Sequence, residues 1–124
     1  MKIPPPADSA VRRFAALVPK EDSVEVRKVF GQPSAFIDGN MFFGVFGDSL
    51  FLRLSETDRR EVKDSEGAKV FEPMPGRAMA EYITIPERLL GSDPKIKAWI
   101  SRAVAYGRTL PKKSTKSKGR KGKA

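Results

Sequence analysis

Between Ala35 and Leu54 three short apolar runs are interrupted by Asp38-Gly39-Asn40 and by Gly47-Asp48-Ser49. Asp-Gly between aromatic-rich runs predicts a tight hairpin, because Gly takes φ > 0 without steric cost. Six of the eight Phe lie between Phe30 and Phe51, so the largest apolar side chains are concentrated on this meander. It reads as the centre of an antiparallel sheet. In its last run Leu50, Leu52 and Leu54 alternate with Phe51 and Arg53, the period of a strand with one wetter face. Upstream, Val24 to Phe30 predicts another strand, with Val24, Val26, Lys28 and Phe30 on one face and Glu25, Arg27 and Val29 on the other. Gly31-Gln32-Pro33-Ser34 has turn chemistry and is expected to end that strand.

Helical periodicity flanks these strands. Val11, Phe14, Ala15 and Val18 form one apolar stripe, with Asp8 or Ser9 as the expected cap and Pro19 as the stop. Ser55-Glu-Thr-Asp58 resembles a capping box and opens a short surface helix to about Asp64, with Val62 its one large apolar residue and Gly67 its terminator. Lys69–Glu72 and Met79–Ile85 predict two strands around a turn at 73–77, and Glu87–Leu90 a single helical turn. Ser92-Asp93-Pro94 then starts a longer helix, with Asp93 as the expected cap and Pro94 where no donor is lost. Its stripe is Ile96, Trp99, Ile100, Ala103 and Val104, and Pro111 ends it. Helix, three or four strands, helix, two strands, helix defines an α+β fold: two layers, an antiparallel sheet of five or six strands, and helices on one face.

Charge divides the chain unevenly. Of the formal +9, residues 111–124 carry seven basic groups and no acid, leaving the other 110 residues with 17 basic and 15 acidic groups, a net of +2. The expected organisation is a Pro-rich extended lead over 1–8, one domain over 9–110, and a disordered basic tail over 111–124. The chain has neither Cys nor His, which excludes disulfides, thiolate zinc sites, Cys nucleophiles and imidazole acid–base chemistry. No run approaches the ~18 apolar residues of a membrane span, and the first residues lead into a charged segment rather than a signal-peptide core. A cytoplasmic protein is the default expectation.

Candidate chemistry is sparse. Gly47-Asp-Ser-Leu50 spells a serine-esterase motif, but without a His to deprotonate the serine a polar hairpin turn accounts for it. Asp38 and Glu81 lack the further carboxylates of a metal site. No catalytic residue, metal or cofactor is expected. Arg27, Lys28, Arg53 and Arg77 are candidates for a basic surface along one sheet edge. Phe42, Phe46 and Phe51 on the outer sheet face are candidates for a homodimer interface. In the tail Lys112, Lys113, Lys116, Lys118, Arg120, Lys121 and Lys123, spaced by Ser and Gly, suit phosphate neutralisation, with Arg27 and Lys28 as candidate additions from the domain. DNA or RNA, and a protein partner, are the expected partners. The competing readings are a small ligand-binding domain or enzyme, with a polar pocket near Tyr82 and Arg77, and a structural partner subunit.

Arg27-Lys-Val-Phe-Gly31, Phe36-Ile-Asp-Gly-Asn-Met-Phe42, Leu50-Phe-Leu-Arg-Leu54 and Phe71-Glu-Pro-Met-Pro-Gly-Arg77, running on to Tyr82 and Pro86, together resemble the TfoX N-terminal domain family over roughly residues 9–108. The chain departs from the family pattern at Val29 and at Gly31-Gln-Pro-Ser34. The resemblance implies a secretion-chaperone-like α-β(3)-α-β(2)-α fold and a regulatory, transcription-related interaction module. It implies no catalytic residue and no cofactor.

Overall fold

The Asp38-Gly39 hairpin forms as its sequence predicts, with both central residues at positive φ (51° and 80°), as a type I′ turn requires. The computed structural model describes residues 4–112. In order these are α1 (Asp8–Leu17), β1 (Val24–Val29), β2 (Gln32–Ile37), β3 (Asn40–Phe46), β4 (Ser49–Arg53), α2 (Glu56–Glu66), β5 (Lys69–Met74), β6 (Arg77–Thr84), α3 (Glu87–Leu90) and α4 (Asp93–Thr109). The strands form one six-stranded sheet, ordered β1-β2-β3-β4-β6-β5, and every neighbouring pair is antiparallel. The fold is therefore α+β, with one more strand before α2 than the family resemblance implied.

Strand β2 starts earlier than expected. The expected turn at Gly31-Gln32-Pro33-Ser34 is instead a two-residue turn at Phe30-Gly31, both at positive φ (54° and 80°), and Gln32, Pro33 and Ser34 belong to the strand. Pro33 is tolerated because β2–β3 pairing begins at Ser34 opposite Gly44, one residue beyond the missing donor. Gly47, at φ 63°, opens the β3–β4 turn, and its N–H donates to the buried Gln32 Oε1 at 2.7 Å.

One face of the sheet carries the helices. Phe43, Val45, Leu50, Leu52 and Ile83 meet Phe14 of α1 and Ile96, Trp99, Ile100 and Ala103 of α4. Phe14 stacks on Phe43 with ring centroids 4.9 Å apart. Phe42 joins this core. The β2–β3 register shifts between Ala35 and Phe36, which face Phe43 and Met41, so Phe42 is the extra residue of a bulge and shares the face of Phe43. Near its C-terminal end α4 lies so close to β2 that a Cβ on Gly107 would stand 2.5 Å from Ile37 Cγ2. Val62 anchors α2 to the same core, Ser55 Oγ accepts from Asp58 N–H at its start, and Gly67 closes it at φ 74°. The caps expected of Asp8, Ser9 and Asp93 are not made: Ala7 and Ser92 occupy the cap positions of α1 and α4 without a side-chain bond, and Asp8 and Asp93 sit in the first turns.

The helix-free face has a smaller core of its own. Phe51, Phe71 and Tyr82 are buried there, with Met41, Phe46 and Met79 packed against them. Phe71 stacks on Phe51 at 4.7 Å and meets Phe46 edge-on at 5.6 Å, although β5 lies beyond β4 and β6 from β3. Register shifts on both sides of Phe71 let the β5–β6 hairpin curl back over the sheet. The outer aromatic face is thus covered from within. Phe42 and Phe51, expected to be exposed there, are 1% and 4% accessible.

Candidate interaction surfaces

A cavity of about 110 Å³ opens on the helix-free face. Its walls come from both ends of the sheet: Val29 and Phe30 at the tip of the β1–β2 hairpin, and Phe71, Pro73, Met74 and Met79 from β5–β6. Met41, Phe46 and Phe51 form its floor with Ser34, the one hydroxyl in the lining. Gly44 keeps the floor flat, because a Cβ there would meet Phe51 Cζ at 2.6 Å and Ser34 Oγ at 2.7 Å. At the rim, Phe30 is 74% exposed and held at positive φ, a region that L residues with bulky side chains rarely enter. Such a lining suits an apolar group about the size of one aromatic ring.

The polar cluster beside Tyr82 differs from the pocket expected there. Arg53 donates to Glu81 from Nε at 2.8 Å and from Nη2 at 2.6 Å, and its guanidinium lies 5.5 Å from the Tyr82 ring centroid. Tyr106 Oη donates to Glu81 Oε1 at 3.4 Å, while Tyr82 Oη donates to Met41 O at 3.0 Å. The Arg53 hydrogen bond holds the Glu81 carboxyl below the usual glutamate range. Burial pushes the Tyr82 phenol above the usual tyrosine range. A carboxylate kept ionised by its partner, and 42% exposed, is a poor general base. The cluster ties strands β4 and β6 to α4. Arg77, the other residue of that expected pocket, is exposed at the start of β6.

The proposed basic edge is taken apart by the strand order. Arg27 and Lys28 lie on edge strand β1, Arg53 on β4 and Arg77 on β6. Arg27 lies over the Phe36 ring at 4.3 Å and within 3.7 Å of Glu25 Oε2, and Lys28 is exposed. Asp38 occupies its turn, Ser49 Oγ donates to Asp48 Oδ1 at 3.4 Å, and Leu50 of the esterase-like string is core. Among the described residues no group of three His, Cys, Asp or Glu is placed to hold a metal, and no helix is long and apolar enough to cross a membrane. Lys112 is exposed just past α4, where Asn40 Nδ2 donates to Pro111 O at 3.0 Å. Lys113, Lys116, Lys118, Arg120, Lys121 and Lys123 lie outside the described residues.

Phe30, Phe71, Met74 and Met79 were not singled out as a site by their sequence positions. The available signal was an aromatic residue directly before the Gly of a two-residue turn, where Asn or Asp is the usual choice.

The fold and its surfaces define a two-layer α+β domain with a curled antiparallel sheet and an apolar cavity at its seam. The TfoX N-terminal domain model matches residues 15–106, and the chain belongs to that family. At the coarse level, membership supports a regulatory or interaction module. No curated protein and no solved structure matches the chain.

Proposed function

We propose that this protein is a non-enzymatic interaction and regulatory module whose basic tail holds it weakly against nucleic acid, as a transcription-related factor requires. The split of charge carries the reading: seven basic groups and no acid follow a globule whose own charges nearly cancel. The Asn40–Pro111 hydrogen bond anchors the segment from which the cationic run departs. Lys and Arg spaced by Ser and Gly neutralise phosphates and release counterions, and a tail without aromatic residues has nothing to stack on bases. Contact is therefore sequence-independent. Lys28, exposed on β1, would add to it from the globule, whereas Arg27 is engaged with Phe36 and Glu25.

The test compares the full chain with the same chain carrying Gln at its seven basic tail positions, by fluorescence anisotropy of a labelled DNA duplex. Loss of binding in the variant supports the reading. Undiminished binding would move the contact to the globule, with Lys28 the first residue to change.

The cavity favours a second reading, a small apolar ligand seated between the hairpin tips. Its test is thermal unfolding in the presence of indole. A ligand at 100 times its Kd raises stability by about 2.7 kcal/mol, and an unchanged Tm at saturating indole removes the reading.

A further inference from the structure

Strand β1 ends the sheet, and no strand pairs with its outer side among the described residues. The pair flanking a two-residue hairpin turn is hydrogen-bonded, here Val29 with Gln32. Alternation then turns the backbone groups of Val26 and Lys28, and the Val24 carbonyl, outward; the Val24 N–H is already bonded to Glu21 O. Val26 lies in the middle of this free edge and is 50% exposed, with Phe30 one of two large hydrophobic residues so exposed among the described residues.

From this edge we infer that the chain forms a homodimer by antiparallel pairing of β1 with β1 of a second copy, the two-fold axis passing through Val26. Charge complementarity identifies the occupant as a second copy and selects the register. With Val26 opposite Val26, each Glu25 faces the other copy's Arg27, so two cross-strand ion pairs form. These are non-hydrogen-bonded positions, where opposed side chains approach most closely. A two-fold axis perpendicular to the sheet keeps equivalent faces on the same side, so register can change only in steps that preserve face. The step in one direction puts Arg27 against Arg27, and in the other Glu25 against Glu25. Both place like charges on the axis. The Val26 register supplies about four inter-strand hydrogen bonds, two between the Val26 residues and two from Lys28 N–H to the Val24 carbonyl. Within one chain Glu25 and Arg27 already lie within 3.7 Å on one face, with Arg27 over the Phe36 ring, so pairing two copies brings the four charges into one alternating cluster.

The arrangement has a functional consequence. Both helix layers fall on the same side of the joined sheet, so the C-terminal ends of both α4 helices, which the cationic runs follow in sequence, lie on one side. A dimer would present twice the cationic charge to a phosphate backbone.

Sedimentation equilibrium of the full chain at micromolar concentration is expected to give twice 13.7 kDa. Glu25→Arg puts like charges opposite each other and is expected to raise the dimer Kd about tenfold, and Glu25→Arg with Arg27→Glu to restore it. Register is read by thiols, because the chain has no cysteine of its own. Glu25→Cys and Arg27→Cys chains, mixed and oxidised, are expected to form a mixed disulfide, and neither alone a homodisulfide. A 13.7 kDa species throughout, or a dimer in which Glu25→Cys cross-links to itself, overturns the proposal. Trp99 fluorescence confirms that each variant is folded.

Discussion

Replacing Gly44 with Ala tests whether the helix-free face is a packed core in its own right. A strand Gly changed to Ala ordinarily gains about 0.5–1 kcal/mol, because Gly loses the most backbone entropy on folding. Here the added methyl would stand 2.6 Å from Phe51 Cζ and 2.7 Å from Ser34 Oγ. Gly44 faces Phe51 directly across the β3–β4 ladder, so the ring must move rather than the methyl. Displacing it disturbs the 4.7 Å stack on Phe71 and the 5.7 Å edge contact with Tyr82. Overpacking costs about 1–3 kcal/mol, and weakened ring pairs about 0.5–1.5 kcal/mol each. The expected net effect of Gly44→Ala is a destabilisation of about 1–2 kcal/mol, and at roughly 4–8 °C per kcal/mol a clear fall in Tm. Urea unfolding followed by Trp99, 7% exposed in the opposite core, measures it globally. In a Phe51→Leu background the ring clash is gone and only the contact with Ser34 Oγ remains, so the penalty should shrink by about 1 kcal/mol. A neutral or stabilising Gly44→Ala, or an equal effect in both backgrounds, would refute this packing.

Other perturbations address other parts of the account. Gly107→Ala should destabilise by about 1 kcal/mol or more despite the better helix propensity of Ala, since its Cβ would lie 2.5 Å from the branched Ile37 Cγ2; a rise in Tm would contradict the close approach of α4 to β2. Phe30→Asn should stabilise by about 1 kcal/mol in thermal melts, because Asn accepts a φ of 54° and the lost ring is mostly exposed; no gain would mean that the ring's contacts at the cavity mouth outweigh the strain. Glu81 has its carboxyl pKa lowered by Arg53, so its contribution is full above the ordinary value of 4.5 and fades as pH falls below it. Glu81→Gln should therefore flatten the loss of stability below pH 4.5 by less than about 1 kcal/mol, and an unchanged acid limb would mean that the pair adds nothing to the joining of β4 and β6.

The order of helices and hairpins was legible because it rests on local rules. Asp38-Gly39 needs positive φ, Leu50, Leu52 and Leu54 alternate with period two, and Trp99 sits on a stripe that only a helix aligns. Family motifs spread from Arg27 to Pro86 were legible for the same reason. What stayed hidden depends on non-local geometry. Phe42 changes face because a bulge inserts it, and nothing in Asn-Met-Phe-Phe-Gly marks which residue is extra. Phe51 is buried because a hairpin some 20 residues later curls onto it, which its alternation with Leu50 and Leu52 cannot reveal. Gln32 to Ser34 reads as a turn by composition and is a strand because Phe30 takes the strained conformation instead. The cavity joins residues from opposite ends of the sheet, so no window of sequence contains it.

The salt dependence of duplex DNA binding by the full chain tests the proposed function most directly. Seven tail charges engaging phosphates predict that log K falls with log salt at a slope of about −6, and that Gln at those seven positions flattens the slope toward zero. A slope near zero in the unaltered chain, or a steep slope that survives the substitutions, would contradict the account.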